Sequence, residues 1–86
     1  MAQYLRLDQT ASDLAKLFGS NCRKRRQELS LSQAELSERT GLAASHLSYI
    51  ENGKANPTLE VMEALASGLG CSLVAMLSEP KDVITE

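Results

Sequence analysis

Eighty-six residues suffice for one small domain. Nine Lys and Arg against eleven Asp and Glu give a net charge of −2, and an apolar share of 43% excludes a chain too polar to build a core. No apolar run approaches the ~20 residues of a membrane span, and Arg6 and Asp8 interrupt the stretch that would mimic a signal peptide. The expectation is a soluble cytoplasmic domain with no membrane attachment.

Cys22, Cys71 and His46 are the whole stock of soft metal ligands and thiols. They are too few and too widely spaced for a zinc site, and two cysteines fall short of a disulfide-built scaffold. Both are expected to be reduced and structural, with no metal and no cofactor. Only Tyr4, Phe18 and Tyr49 are aromatic, so the core must be aliphatic and a stacking platform for single-stranded nucleic acid is missing. Charge is uneven. Residues 1–54 carry eight basic against six acidic side chains, and residues 55–86 one against five. The block Arg23-Lys24-Arg25-Arg26 is expected to give one local positive patch.

In chain order, Leu14, Leu17, Phe18, Cys22, Arg25 and Leu29 fall on one helical face. Thr10-Ala11-Ser12-Asp13 has the form of a capping-box variant, which places the start of this helix near Thr10. Gly19 costs about 1 kcal/mol relative to Ala there, leaving open a break with a shorter helix from about Phe18. Ser32-Gln33-Ala34-Glu35 is a full capping box. It opens a helix over Gln33 to Thr40 that ends at Gly41. A third helix is expected from about Ala44 to Asn52, with Leu47 and Ile50 inward and Gly53 terminating it. Asn56-Pro57-Thr58 reads as a loop and a new cap. A fourth helix follows from about Leu59 to Leu69, burying Leu59, Met62, Leu65, Ala66 and Leu69 and closed by Gly70. Ser72 caps a fifth, about Leu73 to Leu77. At the two ends, Tyr4-Leu5-Arg6-Leu7 and Asp82-Val83-Ile84-Thr85 have some strand character. They read either as frayed tails or as segments that pair with each other or across a dimer.

Residues 33 to 52 have the spacing of two short helices joined by a tight turn at a steep angle. Ser37 is small where the second of them must come close, Gly41 makes the turn, and Leu36, Leu42, Leu47 and Ile50 fill the wedge. The outer face is then left to Ala44, Ser45, His46, Ser48, Tyr49 and Asn52. A solvated structural helix more often carries Lys/Glu pairs there; hydroxyls, an imidazole and an amide suit a DNA groove.

At these residues the sequence resembles the lambda-repressor and Cro type of helix-turn-helix domain, the Xre family. The resemblance runs from about Phe18 to Leu77 and includes Leu31-Ser32-Gln33-Ala34-Glu35-Leu36, Gly41, Ile50-Glu51-Asn52-Gly53-Lys54, Asn56-Pro57-Thr58 and Leu69-Gly70-Cys71-Ser72. It implies an all-α, compact five-helix DNA-binding fold with its helix-turn-helix at 33–52. It makes 1–86 a single domain, with a family-like core at 18–77 and extensions at 1–9 and 78–86. In such a fold the second helix braces on the backbone and the third enters the major groove.

The resemblance also assigns roles. Gln33, at the start of the second helix, matches a phosphate-contacting position favoured by the helix dipole. Arg26 and Glu51 match a salt bridge between the first and third helices that orients Arg26 near the DNA backbone. Asn52 and Lys54 look like phosphate ligands, and His46 is a further candidate. Ala44, Ser45, Ser48 and Tyr49 occupy base-reading positions, with Tyr49 the main source of selectivity and the two serines able to bond several bases. Ala43 stands where the family usually has a capping Ser or Thr, so the third helix lacks its best cap. Cys22 and Cys71 match aliphatic core positions. Arg25 also falls where an aliphatic is common, and is expected to snorkel over its own methylenes.

The function implied is a sequence-specific regulator of transcription that binds double-stranded DNA as a homodimer, because one helix reads few base pairs. Leu73, Met76, Val83 and Ile84 are candidates for the dimer contact. No effector domain is read in the sequence, so repression is expected to come from occupying a promoter and activation from touching polymerase. The alternative is an antitoxin-like or partner-binding regulator on the same fold. An enzyme is not expected, since no nucleophile–base set, phosphate-binding glycine loop or metal cluster is present.

Overall fold

The computed structural model describes residues 11–79, which form five helices. They are α1 (Asp13–Glu28), α2 (Gln33–Thr40), α3 (Ala44–Glu51), α4 (Leu59–Gly68) and α5 (Leu73–Met76). The all-α, five-helix expectation holds, and no strand occurs among the described residues. The segments 4–7 and 82–85 lie outside them.

Side-chain caps fix the start of four helices. Ser12, Ser32, Thr58 and Ser72 each accept from the amide three residues on, satisfying a donor that the helix itself leaves unpaired. At Ser32 the reciprocal bond from its own amide to Glu35 Oε1 completes the capping box. The α1 cap is Ser12, so the helix starts two residues later than the Thr10 expectation; Thr10 lies outside the described residues. Ser12 is further held by its amide, which donates to Asn56 Oδ1 at 2.8 Å. Gly41 closes α2 with φ +78°, the left-handed conformation that favours glycine. Ala43 provides no side-chain cap for α3, as its methyl dictates.

Gly19 does not break α1. It is buried inside a continuous 16-residue helix, and the reason is packing. A Cβ there would lie 1.9 Å from the Ile50 carbonyl oxygen. The missing side chain is what lets α1 seat directly on the backbone of α3.

The core gathers Phe18 and Cys22 from α1, Leu36 from α2, Leu47 and Ile50 from α3, Leu65 and Ala66 from α4, and Leu69 and Met76. Phe18 is the one aromatic in this aliphatic cluster. Two residues expected inside are not. Leu14 and Leu59 are exposed, each on the first turn of its helix, and they line one open apolar groove with Pro57, Met62 and Leu77. Helical periodicity gives the side of a helix but not how far its neighbour extends.

Arg25 does more than snorkel: its Nε donates to the Leu69 carbonyl at 3.0 Å, capping the C-terminal end of α4. Arg39 Nη1 donates to the adjacent Gly68 carbonyl at 3.1 Å, so α1 and α2 both grip that end. Asn21 does the same at the end of α5, its Nδ2 donating to the carbonyls of Met76 and Ser78.

Both cysteines are free thiols. Burial, reinforced by the nearby Glu51 charge and by Cys71, pushes the Cys22 thiol up from 9.0 to about 12. Because its folded value lies above the unfolded one, its neutral form favours folding fully below about pH 9, and that contribution is lost as pH rises through this window. Alkylation by iodoacetamide at neutral pH is expected to modify half-buried Cys71 and spare Cys22 until the chain unfolds. Peptide mass spectrometry reads this directly, and equal labelling of both residues would contradict the packing.

Candidate nucleic-acid interface

α2 and α3 are joined by the three-residue turn Gly41-Leu42-Ala43. Ser37, at the close approach, donates its hydroxyl to the Leu42 carbonyl and ties the turn to α2. Thr40 adds a second tie, its Oγ1 accepting from the Leu42 amide at 3.2 Å. Leu36, Leu47 and Ile50 are buried in the wedge, with Leu42 packed against them.

The inner face of α3 is fastened by a polar node as well as by packing. Arg26 Nε and Nη2 donate to the two carboxylate oxygens of Glu51 at 2.8 and 2.9 Å, a bidentate pair between α1 and α3. Arg26 Nη1 donates to the Leu31 carbonyl at 2.8 Å. Gln33, the first residue of α2, donates from Nε2 to Glu51 Oε1 at 3.0 Å. Glu51 thus joins α1, α2 and α3 through one carboxylate. The Arg26 and Glu51 side chains are only 12% and 3% exposed, so the pair is sheltered from salt and water. Hydrogen bonding to Glu51 raises the Arg26 pKa above its ordinary value.

This geometry changes the reading of the basic block. Successive residues of a helix point about a third of a turn apart. Arg26 therefore faces α3 and Arg25 faces the end of α4, while Arg23 and Lys24 stay exposed. Four consecutive cations do not make one patch.

The outer face of α3 is open. Ala44, Ser45 and Tyr49 are exposed, Tyr49 to 59%, and His46 and Ser48 are half-buried. Ser45, His46 and Tyr49 line a shallow surface hollow. Asn52 caps the helix after Glu51, and its Nδ2 donates to Ser48 Oγ at 3.3 Å. Lys54 is exposed just beyond, where its amide donates to the Tyr49 carbonyl at 2.9 Å. Sequence reasoning missed Lys16. Its side chain crosses the end of α3 closely enough that a Cβ on Gly53 would sit 3.1 Å from its Cγ. No spacing signal could pair residues so far apart in the chain.

A buried face pinned to α1 and α2, opposite a polar face turned outward after a tight turn, defines the helix-turn-helix domain of DNA-binding transcription regulators. The helix-turn-helix family model matches residues 23–75, and the chain belongs to that family, as the lambda-repressor-like motifs implied. It is 39% identical over 66 residues to the HTH-type transcriptional regulator y4dJ of Sinorhizobium fredii, covering 77% of this chain and 86% of that protein. Among solved structures, the hypothetical transcription factor NHTF from Neisseria matches with a TM-score of 0.77 at 30% identity, over 81% of this chain and 80% of that one. The biofilm regulator SinR in complex with DNA matches with a TM-score of 0.66 at 34% identity, over 71% and 98%. No helix among the described residues is long and apolar enough to cross a membrane.

Proposed function

We propose that this chain binds double-stranded DNA sequence-specifically in the cytoplasm, as a homodimer on a two-fold symmetric operator, with α3 in the major groove of each half-site. The observation that carries the reading is the split character of α3. Leu47, Ile50 and Glu51 anchor one side, while Ala44, Ser45, Ser48 and Tyr49 have no core to serve on the other. Phosphate contacts fall to Gln33 at the N-terminus of α2, where the helix dipole favours an anion, and to His46, Asn52 and Lys54. Arg26 acts through Glu51, holding α3 and Gln33 in register. The similarity to SinR in complex with DNA supports the reading.

The dimer contact requires one revision. Met76 is 2% exposed and belongs to the core, so it is no candidate for a surface contact; Val83 and Ile84 lie outside the described residues. Val74, on the opposite side of α5, is 75% exposed and takes its place beside Leu73. Such a dimer represses by occupying a promoter, or activates where it reaches polymerase.

Tyr49→Ala is the test. It removes a ring that is largely exposed and outside the core cluster, so stability changes by less than about 0.5 kcal/mol. Its base preference, measured by sequencing duplexes selected from a random pool, is expected to flatten at one or two positions per half-site. An unchanged preference profile would remove Tyr49 from the reading face.

A further inference from the structure

Resting on the reading just given, we infer that Asn52 is a positioning residue that sets the hydrogen-bond polarity of Ser48, so that Ser48 meets its base pair as a donor. A hydroxyl on or just past a helix can spend its proton on the carbonyl four residues back, as Thr40 Oγ1 does on the Leu36 carbonyl at 2.9 Å and Ser78 Oγ does on the Val74 carbonyl at 2.7 Å. Among the described residues the Ser48 hydroxyl makes no such bond. It accepts instead, from Asn52 Nδ2 at 3.3 Å. One lone pair is engaged toward Asn52, and the proton stays available on the outer face. A hydroxyl that accepts one hydrogen bond is a stronger donor in the next.

In the major groove guanine offers two acceptors and thymine and adenine one each, while cytosine offers only its amino donor. The base facing Ser48 therefore carries an acceptor, with cytosine disfavoured by about fivefold, the size of one net hydrogen bond. This gives Asn52 a task distinct from holding a phosphate. A phosphate ligand weakens every sequence equally when removed, whereas a residue that orients Ser48 changes which base is preferred.

Selection from a random duplex pool with four proteins separates the two. Ser48→Ala identifies the position, as the one whose preference flattens. At that position the native chain is expected to deplete cytosine in favour of bases that offer an acceptor. Asn52→Ala is expected to lose that preference, because the hydroxyl can rotate. Asn52→Asp is expected to move it toward cytosine, because the new carboxylate accepts the Ser48 proton and leaves lone pairs facing the base. If Asn52→Ala and Asn52→Asp bind more weakly but keep the native preference at that position, Asn52 serves as a phosphate ligand alone and the inference is overturned while the DNA-binding reading stands. A native chain that enriches no sequence at all overturns both.

Discussion

Gly19→Ala is expected to destabilise the domain by about 3 kcal/mol, at the upper end of what forced overpacking costs. Helix propensity alone predicts the opposite sign, a gain of about 1 kcal/mol for removing a glycine from the middle of a helix. The decision rests on the atom the new methyl meets. It would lie 1.9 Å from the Ile50 carbonyl oxygen and 2.9 Å from its carbon, both backbone, so no side-chain rotation relieves the clash. Either α1 lifts from α3 or the helix is distorted around residue 19. In a domain of this size the loss corresponds to a fall in melting temperature of roughly 12–24 °C, readable by circular dichroism. A variant as stable as the native chain would mean that α1 and α3 are not seated on each other as described. Ile50 lies on the inner face of α3, so any surviving fold should also present a displaced reading face and bind DNA more weakly.

Removing one partner of the Arg26–Glu51 pair is expected to have a comparable effect. Glu51→Ala leaves the Arg26 guanidinium, 12% exposed, without its bidentate acceptor, and frees the Gln33 amide. Stranding a sheltered charge in this way costs about 3 kcal/mol. A double replacement by apolar residues, Arg26→Met with Glu51→Leu, is expected to restore most of the stability, because desolvating two charges offsets much of their attraction. DNA affinity is expected to stay low in the double variant, since Gln33 has lost the carboxylate that holds it at the start of α2. Recovery of stability without recovery of binding separates holding the fold from setting the interface. Recovery of both would mean that the node serves the fold alone.

Much of this architecture was legible in the sequence because its punctuation is local. Ser32 and Glu35 sit three residues apart and satisfy each other, so the start of α2 follows from their spacing. Gly41, Gly53 and Gly70 mark turns that need a left-handed residue, and each has positive φ. The Arg26–Glu51 link was reached through the family resemblance, since residues that far apart carry no spacing signal. What stayed hidden depends on neighbours. Leu14 and Leu59 have core-like spacing, yet they face a groove because, among the described residues, no helix covers the first turns of α1 and α4. Gly19 looks like a helix breaker until Ile50 is seen against it. The third engagement of Glu51, through Gln33, and the turn of Asn52 toward Ser48 are set by side-chain geometry.

Chemical protection on a duplex enriched by the native protein tests the central claim most directly. Dimethyl sulfate methylates guanine N7 in the major groove and adenine N3 in the minor groove. With α3 seated as proposed, guanine N7 atoms are protected in two patches about 34 Å apart, one helical turn along the duplex, while adenine N3 atoms between them stay reactive. Protection confined to adenine N3, or none at guanine N7 on a bound duplex, would contradict an account in which the outer face of α3 enters the major groove.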